Sequence, residues 1–74
     1  MITIVYNSFM PEIGKTVRRL REKRGWTQEQ LARKTGLNRV SIAYIEVGLR
    51  KAPTISTRKK LAKALGVSIT ELLE

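Results

Sequence analysis

Seventy-four residues make one domain with a modest core, with room for four or five short helices and little else. The chain has no cysteine, which excludes disulfides and thiolate metal sites, and no histidine, which removes the usual general base and the usual metal ligand. Fifteen Lys and Arg against six Glu give a formal charge of +9, a balance that attracts polyanions and speeds encounter with them. Nucleic acid fits that charge better than an anionic membrane does. The basic segments carry no bulky aromatic face, and no apolar run approaches a membrane span.

Residues 1–8 alternate Ile2, Ile4 and Tyr6 with Thr3, Val5 and Asn7, a period of two in residues that favour strands. The basic start, longer apolar centre and small-residue cleavage site of a signal peptide are missing. Three readings stay open for this N-terminal arm, residues 1–10. It is frayed, or laid over a helical core, or a strand paired with its symmetry mate in a dimer.

The remainder, 11–74, reads as helices. Pro11 suits a first helical turn, and the helix it opens is expected to run to about Arg24, where Gly25 stops it. Ile13, Val17 and Leu20 recur at i, i+4 and i+7 and form the buried stripe. Lys15, Arg18, Arg19 and Lys23 face water or phosphate. Arg21 lies beside the stripe, placed for a structural ion pair rather than a ligand contact.

Thr27 is an N-cap, and Gln30 three residues on completes a T-x-x-Q capping box. Leu31 and Ala32 give this second helix its buried side, with Ala32 small where the next helix crosses, and Gly36 ends it. Asn38 caps a third helix, 38–47, whose inward face is Ile42 and Ile45. Two short helices joined by a glycine-containing turn are the arrangement that offers its second helix to the major groove of DNA.

Trp26 before the Thr27 cap and Leu31 after it have hydrophobic-staple spacing, repeated by Leu37 with Ile42 around Asn38 and by Val67 with Leu72 around Ser68. Trp26 therefore reads as core filler rather than as a base-stacking residue. Gly48 and Pro53 bound a loop, and Thr54 caps a fourth helix to about Leu65 with Ile55, Leu61, Ala62 and Leu65 inward. After Gly66, an S-x-x-E box from Ser68 to Glu71 opens a short last helix whose leucines close the bottom of the core. Arg58, Lys59, Lys60 and Lys63 form a solvated face.

Ile42 and Ile45 turned inward leave Arg39, Val40, Ala43 and Tyr44 on the outer surface of the third helix, with Ser41 at its flank. The guanidinium fork of Arg39 matches O6 and N7 of guanine, with a phosphate clamp as its competing role. Val40 has no core to fill and suits a thymine methyl. Tyr44, one turn on, reaches a base edge or a phosphate. Ser41 joins them at the bases or bonds a phosphate at the helix start.

In register and in order, several short motifs make the chain from about Ile13 to Leu73 resemble a Cro/CI-like (XRE-family) helix-turn-helix domain. They are Leu20-Arg21-Glu-Lys-Arg24-Gly25, Thr27-Gln28-Glu-Gln-Leu31-Ala32, Gly36-Leu37, Ile42, Ile45-Glu46 followed by Gly48, and Leu61-Ala62-Lys-Ala-Leu65-Gly66-Val67. The resemblance implies an all-α, compact five-helix bundle of the lambda-repressor-like DNA-binding type, preceded here by the extended arm. It implies that Gln28 opens the second helix and hydrogen-bonds a phosphate, and that Asn38 opens the recognition helix. With Arg50 and Lys51 of the following loop, these supply the phosphate contacts. It also implies that Glu46 pairs with Arg21 and ties the recognition helix to the first.

Two positions depart from the pattern. Val47 stands where a polar or basic residue often contacts phosphate. Arg58 stands where the fourth helix usually carries an apolar residue, and it breaks the staple around Thr54. Either Arg58 snorkels from a smaller core or it marks a different surface use of this helix. The function expected is a sequence-specific double-stranded DNA-binding transcriptional regulator of small prokaryotic or phage type. It would be cytoplasmic and homodimeric, with no enzymatic activity, cofactor, metal or small-molecule ligand. The dimer surface is expected at the N-terminal arm or around Leu72 and Leu73. The runner-up is a protein-interaction module, antitoxin-like or docked on a transcription component, with DNA binding secondary.

Overall fold

A computed structural model describes residues 12–49 and 53–72, and four α-helices and one 3₁₀ turn occur among them. Helix α1 spans Glu12–Lys23, α2 Gln28–Thr35, α3 Arg39–Val47 and α4 Ile55–Leu65, with the 3₁₀ turn at Ile69–Leu72. The arm of residues 1–10, Arg50, Lys51 and Leu73 lie outside the described residues.

Local chemistry sets the helix boundaries. Thr27, Asn38 and Thr54 each hold an extended backbone, and each turns its side-chain oxygen to an orphan N–H of the helix it opens. The acceptor distances are 3.1 Å from Gln30 N, 2.8 Å from Val40 N and 3.2 Å from Thr57 N. At Thr27 the box closes reciprocally, because its own N–H donates to Gln30 Oε1 at 2.8 Å. Helices α1, α3 and α4 end in the same double closure around a left-handed glycine. After α1, for instance, Gly25 N donates to Glu22 O at 2.9 Å and Trp26 N to Arg21 O at 3.2 Å.

The core is one cluster: Ile13, Val17 and Leu20 of α1, Leu31 and Ala32 of α2, Ile42 of α3, Leu61, Ala62 and Leu65 of α4, and Leu72. Burying each large aliphatic side chain contributes about 1.5–3 kcal/mol. Trp26, Leu37 and Val67 pack half-buried on this cluster while Leu31, Ile42 and Leu72 lie inside it, so each staple links a helix entry to the core. Helix α3 packs on α1 and α2, whereas α4 packs on α1, α2 and the 3₁₀ turn. No helix of the described residues is long and apolar enough to cross a membrane.

Three expectations need correction. The fifth helix is a single 3₁₀ turn in which Glu71 N donates to Ser68 O at 3.1 Å, an i→i+3 bond. Leu72 is wholly buried beneath it and offers no apolar edge to a partner. Ile55 is 53% exposed rather than inward. Arg58, three and seven residues before Leu61 and Leu65, occupies the stripe instead, and Ile55 at the first helical position falls beside it. The Arg58 guanidinium is partly buried, donating to Pro53 O at 2.9 Å and Leu72 O at 3.1 Å. It clamps the start of α4 to the 3₁₀ turn.

Candidate nucleic-acid interface

The turn between α2 and α3 closes differently from the other helix ends. Gly36, at φ 77°, donates a single backbone bond to Ala32 O at 2.8 Å. The buried Thr35 hydroxyl completes the turn. It donates toward Leu31 O at 2.9 Å and Ala32 O at 3.1 Å, and accepts the N–H of Leu37 at 3.2 Å. One hydroxyl thus joins the last turn of α2 to the chain entering α3. Sequence reasoning passed over Thr35, although a threonine placed before a terminating glycine can back-bond in this way.

The inner side of α3 is held by charge and by close backbone contact. The Glu46 carboxylate, with 2% of its side chain exposed, meets Arg21, with 11%. Arg21 Nε donates to Oε2 at 2.7 Å and Nη2 to Oε1 at 3.0 Å, a bidentate fork, while Nη1 donates to Trp26 O at 2.7 Å. Gln28 Nε2 adds a third bond to Glu46 Oε1 at 3.1 Å. The bonded Glu46 carboxylate raises the pKa of Arg21 above its ordinary value despite burial. Arg21 of α1, Gln28 of α2 and Glu46 of α3 thereby fix three helices in one network that also reaches the α1–α2 turn.

Gly14 sets the distance between α1 and α3. It lies in the first turn of α1, buried, and a Cβ there would run into the backbone carbonyl of Ile45 and come within 2.9 Å of Glu46 O. The crossing is backbone on backbone. Ala32 is buried on α2, which packs on α3, while the contact between α1 and α3 rests on Gly14. The signal was present in the sequence as a glycine inside an apolar helical pattern.

The outer side of α3 carries the remaining candidates. Arg39 and Val40 are exposed, and Ser41, Ala43 and Tyr44 are half-buried. Arg39 occupies the first helical position, where the helix dipole disfavours a cation, so helix stability does not explain it. The first turn of α3 contains no acidic residue. Asn38 spends its side-chain oxygen on Val40 N, leaving its amide hydrogens to solvent. Gln28, engaged with Glu46 through one amide hydrogen, keeps a second one. Arg50 and Lys51 lie outside the described residues.

Two helices locked at a fixed angle, the second with a cation-bearing outer strip, define a helix-turn-helix domain of the transcriptional-regulator type. The HTH_3 helix-turn-helix family model matches residues 17–72, and the chain belongs to this family, of the XRE type. Over 61 residues it is 39% identical to the uncharacterised HTH-type transcriptional regulator y4dJ of Sinorhizobium fredii, covering 82% of this chain and 78% of that protein. Over 64 residues it is 41% identical to the HTH-type transcriptional repressor RghR of Bacillus subtilis, covering 86% of this chain but 47% of RghR. Among solved structures, it is similar to the Bacillus subtilis biofilm master regulator SinR in complex with DNA, with a TM-score of 0.79 and 31% identity. That match covers 84% of this chain and 98% of the other.

Proposed function

We propose that this chain is a sequence-specific double-stranded DNA-binding regulator that acts as a homodimer with α3 in the major groove. The observation that carries the reading is the asymmetry of α3. Its inner side is fixed by Ile42, Glu46 and the Gly14 crossing, while Arg39, Val40, Ser41 and Tyr44 lie along its outer strip. A DNA complex solved for the similar SinR supports it, as does the repressor name of RghR. In this reading Arg39 meets a guanine edge, Val40 a thymine methyl, and Tyr44 and Ser41 the flanking bases. Gln28, Asn38, Arg50 and Lys51 hold phosphates and set the register. Recognition helices of a two-fold dimer then fall about 34 Å apart on one face of the duplex. With Leu72 buried, the described residues leave Val47, Leu49 and Ile55, around the α3–α4 loop, as the exposed large apolar side chains outside the reading strip. These and the arm of residues 1–10 are the surfaces available to a second copy.

Selection from a random duplex library tests the reading. A selected site should bind at least about tenfold tighter than random duplex at physiological salt, and a smaller ratio refutes specific recognition. Arg39→Ala should flatten the preference at one base pair, whereas Lys51→Ala should weaken every duplex alike. Sedimentation of the chain with and without residues 1–8 separates arm pairing from an interface at Val47, Leu49 and Ile55.

A further inference from the structure

A shallow groove of about 510 Å³ opens between α2 and α4, lined by Trp26, Lys34, Thr35, Lys60, Lys63 and Ala64. None of its lining comes from α3. Helix α4 packs on α1, α2 and the 3₁₀ turn, while α3 packs on α1 and α2, so the groove belongs to the flank that α3 leaves open. Trp26, the single tryptophan of the chain, lines it half-buried. Lys34 Nζ stands 4.6 Å from the ring centroid and Arg24 Cζ 5.8 Å. These distances are within cation–π range. Arg24 also reaches the end of α4 beside Gly66.

The charge here is one-sided. Among the described residues no carboxylate lines the groove, and the ion pairs engage Arg18 and Arg21 with Glu22 and Glu46, so Lys34, Lys60 and Lys63 have no acidic partner there. Lys34 and Lys63 lie in the last turns of their helices, where the dipole favours a cation. That explanation does not extend to Lys60, nor to three lysines lining one groove beside a half-buried indole.

We propose that this groove docks an acidic segment of a partner protein. One apolar or aromatic side chain of the segment lies on the floor formed by Trp26 and Ala64, and flanking carboxylates meet Lys34, Lys60 and Lys63. Charge complementarity selects an acidic occupant, and the apolar floor selects a peptide over a duplex, whose phosphate backbone has nothing to place there. The surface uses none of the residues assigned to DNA, so partner and DNA can be held together.

Trp26 makes the test direct. Its emission is followed while a tryptophan-free, Glu-rich peptide with one central Phe is titrated into the full chain, without DNA and then with saturating duplex. A saturable change is expected, with affinity altered by less than about threefold when duplex is present. Lys60→Glu with Lys63→Glu should weaken the peptide at least about tenfold, and the milder Lys60→Gln with Lys63→Gln should weaken it less, with helicity unchanged by circular dichroism. The charge-matched pair Lys15→Glu and Arg19→Glu, on exposed positions of α1, should alter it by less than about twofold. Equal losses from the two Glu pairs would reduce the effect to net charge and overturn the proposal. So would equal binding of a peptide with Ser in place of Phe, or displacement of the peptide by duplex that itself shifts Trp26 emission through Lys60 and Lys63. The titration without DNA reads the groove even if no specific operator exists.

Discussion

Two arginines, Arg21 and Arg58, each bridge separate segments, and they do so in opposite electrostatic settings. Arg21 forks onto a carboxylate that is almost wholly buried, and its third donor takes a carbonyl in the α1–α2 turn. Among the described residues Arg58 meets backbone carbonyls alone, those of Pro53 and Leu72. A carbonyl that loses its donor at the margin of the core can turn to water, whereas a buried carboxylate that loses its guanidinium keeps a charge it cannot solvate. The first clamp therefore makes the position of α3 all-or-none, and the second trims the end of the fold. Helices that must present a rigid strip and segments that merely close a core are held by differently scaled devices.

The largest effect is expected where that difference is greatest. Arg21→Ala should destabilise the domain by on the order of 3–5 kcal/mol, because Gln28 alone then faces the Glu46 carboxylate. In a domain of this size that corresponds to a melting temperature lower by roughly 15 °C or more. Replacing both partners, Arg21→Met with Glu46→Leu, should recover most of the loss, since the penalty lies in the uncompensated charge rather than in the missing attraction. Chemical denaturation of the three variants decides the point. A single Arg21 variant no less stable than a single Arg58 variant would erase the contrast between the clamps.

Gly14 sharpens the same contrast through backbone geometry. In a free helix interior, Gly→Ala stabilises by about 1 kcal/mol. Here the added methyl meets the carbonyls of Ile45 and Glu46, and only a movement of α3 relieves it. Gly14→Ala should therefore lose about 2 kcal/mol net, with amide chemical-shift changes concentrated in α3 and DNA affinity falling along with stability. Unchanged or increased stability would mean that α3 can slide on α1 without cost. Thr35→Val, nearly isosteric, should cost about 1–2 kcal/mol by leaving the N–H of Leu37 unpaired. The readout is the melting temperature together with faster hydrogen exchange at Leu37.

Features written in neighbouring residues were legible in the sequence. Thr27, Asn38 and Thr54 announce helix starts because a capping side chain bonds its own following turn, and Ile13, Val17 and Leu20 announce a buried stripe because helical spacing is local. The Arg21–Glu46 geometry spans 25 residues and was reachable only through resemblance to a known family. Gly14 and Thr35 were missed because their reasons lie in a helix crossing and in a turn closed by a hydroxyl, neither of which changes the hydrophobic pattern. Ile55 was placed inward because it is apolar, yet at the first position of α4 it lies beside the stripe that Arg58 fills. The outer strip of α3 follows from subtracting the inward residues, which supports the proposed place of base contact without identifying the base.

The smallest expected effect is the one that settles what Arg58 is for. Arg58→Met keeps a flexible apolar stem in the stripe beside Leu61 and Leu65 and removes the donors to Pro53 O and Leu72 O. The loss should be about 1 kcal/mol, because both carbonyls can be hydrated once the guanidinium is gone. Hydrogen exchange should quicken at Glu71, whose N–H bonds Ser68 O within the 3₁₀ turn, and change little in α3, which the Arg21 network holds independently. DNA affinity should stay within about twofold of the parent. A tenfold drop in DNA affinity at unchanged stability would return Arg58 to the surface as a contact residue. Slower exchange confined to the 3₁₀ turn would mean that the clamp strains the end of the fold rather than closing it.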